Sequence, residues 1–166
     1  MSLREKGIID ENDGLTKCGM IVLDAISDYK EADKYVILNR LHVALRKNRN
    51  SIVIFVSESG QVVLFRIQKE YILQQLFKEY PYLQEDEHEI VLIEQKLHLT
   101  ELLDKLSQDD GKILSVGVFC SKARQEEVIY SFHTQTCIMY DLITGISKEV
   151  TPCQVRESLC AIMEIG

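Results

Sequence analysis

The stretch from Ser51 to Ile67 limits the possible folds more than any other. Ile52-Val53-Ile54 is a β-branched run continued by Phe55 and Val56, Ser57-Glu58-Ser59-Gly60 is a turn, and Gln61 to Ile67 is again rich in Val and aromatic residues. Branched and aromatic side chains fit the pleated backbone, and a short polar turn between two such runs predicts a β-hairpin. Neither run alternates strictly. Ile52 to Val56 and Val62 to Phe65 are near-continuous apolar segments, which is the pattern of a sheet covered on both faces. The rest of the chain must therefore supply the covering layers.

Helical spacing supplies them. Leu15, Cys18, Val22, Ala25, Ile26 and Tyr29 fall on one face of a helix spanning Leu15 to Tyr29. Asp33 is placed to cap a second helix reaching about Lys47, with Val36, Ile37, Leu41, Ala44 and Leu45 as its stripe. Lys69 to Tyr80 is a third, stopped by Pro81. Ile90 to Glu94 is a short strand, and Thr100 to Gln108 a short helix with Leu102, Leu103 and Leu106 inward. Past the Asp109-Asp110-Gly111 turn come three strands: Lys112 to Cys120, Glu126 to Phe132 and Gln135 to Ile143. Thr144-Gly145 turns the chain again. A last helix is marked by Thr151 as N-cap, Pro152 at the first helical position, Gln154 completing a capping box, and a Val155, Leu159, Ile162 stripe.

The predicted order is α-α-β-β-α-β-α-β-β-β-α. Adjacent antiparallel strands separated by helices make an α+β fold, with a mainly antiparallel sheet of five to six strands and helices on its faces. Residues 1–14 read as a flexible lead-in and 15–166 as a single domain. A helix, a hairpin, a helix, a strand meander and a closing helix resemble the profilin-like group, which includes roadblock and longin domains and the GAF and PAS sensors. The resemblance spans roughly residues 33–164 and lies in element order alone. The strand and helix between 90 and 108 suit a GAF-like domain better than a minimal roadblock domain.

Composition narrows the function classes. A chain of 166 residues buries roughly 70% of its unfolded surface as one domain. Its net charge of −7 disfavours nucleic acids and anionic membranes, which recruit clustered Lys and Arg. The one basic cluster, Arg40, Arg46, Lys47 and Arg49, is expected to complement a helix C-terminus. Five cysteines, an odd number without CxxC spacing, argue against a disulfide framework or a structural zinc site. Without a signal-peptide core near the N-terminus or a long apolar run, a cytoplasmic location is expected.

Signatures of chemistry are sparse. The chain carries no P-loop, no Rossmann glycine fingerprint, no GxSxG and no HExxH. His133 and Cys137 flank a tight turn and could meet across two strands, with Cys120 on a neighbouring one; cysteines in apolar strands are more often inert core residues. His88 lies among Glu85, Asp86, Glu87 and Glu89, an oxygen-rich loop without EF-hand spacing, expected to be a solvated charged loop. Cys153 and Cys160, seven apart on the last helix, have core spacing. Neither metal nor cofactor is expected, and no residue is assigned a catalytic role.

The helix at 15–29 is the most informative segment. Met20, Ile21 and Leu23 widen its apolar surface beyond one stripe, so it is either buried between sheet and second helix or held against another protein. The leading expectation is a non-enzymatic interaction module, an adaptor, assembly factor or regulatory subunit, contacting a partner or a second copy through Met20, Ile21 and Leu23. The alternative is a small-ligand sensor of GAF or PAS type, binding between the sheet and residues 69–108.

Overall fold

The computed structural model describes residues 2–46, 51–86, 90, 94–120 and 123–165. Among them it is α+β, with four helices and a single antiparallel sheet of nine strands. Helix α1 (Lys17–Lys30) precedes strands β1 (Lys34–Leu38), β2 (Leu41–Leu45), β3 (Ser51–Val56) and β4 (Val62–Ile67). Helix α2 (Lys69–Glu79) runs into a 3-10 turn at Pro81–Gln84, followed by β5 (Gln95–Lys96) and helix α3 (Leu99–Gln108). Strands β6 (Lys112–Cys120), β7 (Ala123–Phe132), β8 (Cys137–Asp141) and β9 (Ile146–Glu149) lead to helix α4 (Pro152–Ile162). None of these helices is long and apolar enough to cross a membrane.

The strands lie in the order β4-β3-β2-β1-β6-β7-β8-β9-β5. Two meanders join at the β1–β6 pair, where Val36 stands opposite Val118 and Leu38 opposite Val116. One face of the sheet carries the main core: Val36, Val43, Val53, Leu114, Val116 and Tyr130 pack with Leu73 and Leu76 of α2 and Val155 and Leu159 of α4. The other face carries a smaller cluster, in which Ala25 of α1 meets Ala44 and Ile52, flanked by Tyr29, Tyr35 and Leu64. The near-continuous apolar run of β3 thus serves both faces, Val53 on one and Ile52 on the other, as its pattern predicted.

The second helix expected over Asp33 to Lys47 is instead the β1–β2 hairpin. Leu38 pairs with Leu41, leaving a two-residue loop in which Asn39 takes a left-handed φ of 51°. The apolar positions fit a helical stripe, but Val36/Leu38 and Val43/Leu45 also alternate with period two, and that alternation is the one buried. Asn39 is fixed by remote partners. Its side-chain amide donates to the Tyr80 hydroxyl at 3.0 Å, and its carbonyl accepts from the Ser115 amide at 2.8 Å. Accordingly Arg40 does not complement a helix end, and Arg46 complements that of α1 rather than of its own segment, donating to the Asp28 carbonyl at 3.3 Å. Arg40 pairs with Glu58 at 3.1 Å, Arg46 reaches α1, and Lys47 and Arg49 lie outside the described residues.

The hairpin adds two strands to the expected five or six. β9 adds another; its sequence, Ile146-Ser147-Lys148-Glu149, carries little apolar signal and is held by pairing with β8. The expected strand at Ile90 to Glu94 falls mostly outside the described residues, as does His88. α3 begins one residue early, with His98 rather than Thr100 at the cap. The α4 prediction matches in detail: the Thr151 hydroxyl accepts from the Gln154 amide at 3.2 Å, and Gln154 Oε1 accepts from the Thr151 amide at 3.0 Å.

Candidate functional site: the outer face of the first helix and a polar cleft

Helix α1 sits over β3 and β4 on the sheet face opposite the main core. Thr16 caps it, accepting from the Gly19 amide at 3.0 Å. The chain before it closes tightly on its first turn: a Cβ at Gly19 would come within 2.1 Å of the Ile8 carbonyl oxygen. The surface α1 turns to the sheet is small and partly ionic. Of the helix's buried residues, Ala25 and Asp28 face the sheet and Gly19 faces Ile8. Asp28 pairs with Arg46 at 3.1 Å and with Arg66 at 2.9 Å, and Arg66 also reaches Asp24 at 2.5 Å. Two arginines from β4 and the end of β2 thus hold the helix by its acidic flank.

The large apolar side chains of α1 point elsewhere. Met20 is 54% exposed, Ile21 67%, Leu23 48% and Ile26 42%. Met20, Leu23 and Ile26 follow one another at intervals of three along the outward side. Ile21 shares the flank of Lys17, Asp24 and Asp28, which lies over β4. The three residues singled out in the sequence are therefore all exposed but not on one stripe. The outward stripe also takes in Ile26, which sequence spacing assigned to the buried face.

At the other end of the same sheet face lies a polar cleft of about 540 Å³, lined by residues that include Lys105, Asp109, His133, Tyr140 and Glu149. Its focus is Asp109. Oδ1 accepts from the Ser131 hydroxyl at 2.6 Å and the Gly111 amide at 2.8 Å and stands 3.2 Å from His133 Nε2; Oδ2 accepts from Tyr140 at 3.3 Å. Burial would raise the Asp109 pKa, but the donors and His133 together outweigh it and hold the carboxyl below its ordinary range. Tyr140 is pushed up to about 12, by burial first and then by the Asp109 charge. Gly111 is required there, since a Cβ would lie 2.2 Å from Ser131 Oγ.

The residue types of a nucleophilic triad are present, but their order is wrong. In a triad the imidazole stands between hydroxyl and carboxylate and uses both nitrogens. Here the carboxylate stands between them and itself accepts the serine hydroxyl's hydrogen bond, while His133 Nε2 is 3.4 Å from Ser131 Oγ. Asp109, Asp110 and His133 are the described residues that could hold a cation, their ligand atoms lying within 4.8 Å of one another. Yet both Asp109 oxygens are already engaged, Oδ1 by Ser131 and the Gly111 amide and Oδ2 by Tyr140, and Asp110 is exposed. The cluster reads as a cradle locking the Asp109–Gly111 turn onto β7. The sequence marked the turn but not its partner, which follows from the Lys112–Phe132 register.

His133 and Cys137 do not face each other. Cys137 is fully buried in the main core, where burial raises its thiol pKa far above the ordinary value, whereas the His133 ring turns to Asp109. Cys120 and Cys160 pack against the same core, and Cys153 stands 3.5 Å from Glu157.

Residues 1–146 match a family described as a domain of unknown function (DUF5081). No curated protein and no solved structure matches the chain.

Proposed function

Since the chain belongs to the DUF5081 family, a domain of unknown function, we propose its role from geometry: a non-enzymatic protein–protein interaction module, an adaptor, assembly factor or regulatory subunit, that binds through the outer side of α1. One observation carries this reading. A single helix buries Ala25 and Asp28 against its own sheet and exposes Met20, Ile21, Leu23 and Ile26. Folding alone favours the reverse assignment, because each half-exposed large apolar side chain forgoes about half of the roughly 1.5–3 kcal/mol that full burial gives. An exposed apolar stripe of Met20, Leu23 and Ile26, with Ile21 on the adjoining flank, suits a contact surface. The reading includes a cytoplasmic location and a profilin-like relationship of the two meanders and their covering helices.

Affinity capture from native cells tests it, comparing the wild type with Met20→Asp and Leu23→Asp, each checked for an unchanged melting temperature. The expected result is a stoichiometric partner retained by the wild type and lost by both variants. An identical set of captured proteins from all three would refute the assignment to α1.

The alternative, a small-ligand sensor of GAF or PAS type, draws on a second cleft of about 580 Å³ between the sheet and α2, lined by Leu38, Asn39, Phe55, Leu76, Ile113 and Ser115 among others. It predicts a metabolite that raises the melting temperature of the wild type and not of Asn39→Ala.

A further inference from the structure

The geometry points to a two-fold homodimer of this chain, formed by β4 pairing antiparallel with β4 of a second copy while the two α1 helices pack side by side above the junction. The inference rests on α1 being a contact surface and specifies what occupies its β4-side flank.

Among the described residues β4 is a terminal strand of the sheet, paired on one side by β3. Its sequence is Val62-Val63-Leu64-Phe65-Arg66-Ile67, with Val62 64% and Val63 49% exposed. Free edges are ordinarily protected by Pro, by outward Lys, by a bulge or by a covering element. β4 has no Pro, and its register with β3 is unbroken. Its one charge, Arg66, is already neutralised by Asp24 and Asp28 of its own α1. An apolar, regular, charge-compensated edge is a template for another strand, and β4 itself has the composition to fill it.

The helix makes the fit specific. α1 rides over β3 and β4, so its axis stands about one strand spacing inward of the edge. Pairing β4 with its copy at ~4.8 Å places the two α1 axes about 10 Å apart, within the ordinary range for packed helices. The facing flanks are self-complementary. Lys17, Ile21 and Asp24 share the β4 side of α1, and an antiparallel α1–α1 contact centred near Met20 and Ile21 sets Lys17 of each copy against Asp24 of the other. Within one chain, Ala25 clusters with Ala44 and Ile52, which stand in line with Arg66, and Asp28 reaches Arg46 beyond them, so α1 runs in the direction of β4 and the turn carrying Ile21 lies toward Val63. One two-fold axis can therefore serve both contacts.

Light scattering of the purified full chain over a range of concentrations, with circular dichroism to verify folding, tests the proposal. The wild type is expected at twice the chain mass. Val63→Lys, which brings two lysines together across the axis, is expected to be folded and monomeric. Lys17→Glu should weaken the dimer about tenfold, and the swap Lys17→Glu with Asp24→Lys should recover most of that loss. A monomeric wild type overturns the inference, and so does a dimer indifferent to both Val63→Lys and Lys17→Glu. Neither result touches the partner-capture test at Leu23, which lies off the dimer contact, so the two readings fail separately.

Discussion

Replacing Asp28 with Ala would remove the buried carboxylate that Arg46 and Arg66 share, leaving Arg46 the residue 28 carbonyl and Glu31, and Arg66 the exposed Asp24. We expect a loss of about 2 kcal/mol, because a half-buried cation that loses its close counter-charge keeps its desolvation cost; chemical denaturation measures it. Asp109 gives a pH signature. Its carboxyl titrates lower in the folded chain than in the unfolded one, so its contribution is complete above the ordinary carboxylate value of 3.8 and drains away as the pH falls through the folded value. Asp109→Asn should flatten the acid limb of the stability profile, and an unchanged limb would contradict the cradle described for it. Gly111→Ala should cost about 1–3 kcal/mol through its clash with Ser131 Oγ. The glycine and the turn were legible in the sequence. The junction with Ser131, His133 and Tyr140 was not, because it depends on strand register rather than on neighbours along the chain.

Elements whose signals are local were read correctly. The α4 cap and the Ser51–Ile67 hairpin are each written within a few residues, and Thr151→Ala should cost about 1 kcal/mol, read from the melting temperature. The β1–β2 hairpin was misread because Val36, Ile37, Leu41, Ala44 and Leu45 satisfy helical spacing, while the left-handed turn at Asn39 is held by Tyr80 and Ser115, remote in sequence. Helix α1 was located correctly, but which of its faces would be covered was not legible. That depended on Arg46 and Arg66, whose positions follow from the misread hairpin and the sheet order.

At the scale of the whole molecule, nine strands form one sheet with a covered main face and a reverse face held by α1 at one end and the Asp109 cradle at the other. The pairing of β1 with β6 creates this arrangement, and no local pattern announces it. It also leaves β4 at an edge beneath α1, and the Met20, Leu23 and Ile26 side of the helix faces away from the sheet. The most direct test of that surface is a photo-reactive residue placed in the full chain inside cells, at Leu23 and, for comparison, at Leu103 of α3, which is 54% exposed. The account predicts a discrete cross-linked product from position 23 and none from position 103. Equal labelling at both positions, or none at 23, would contradict it.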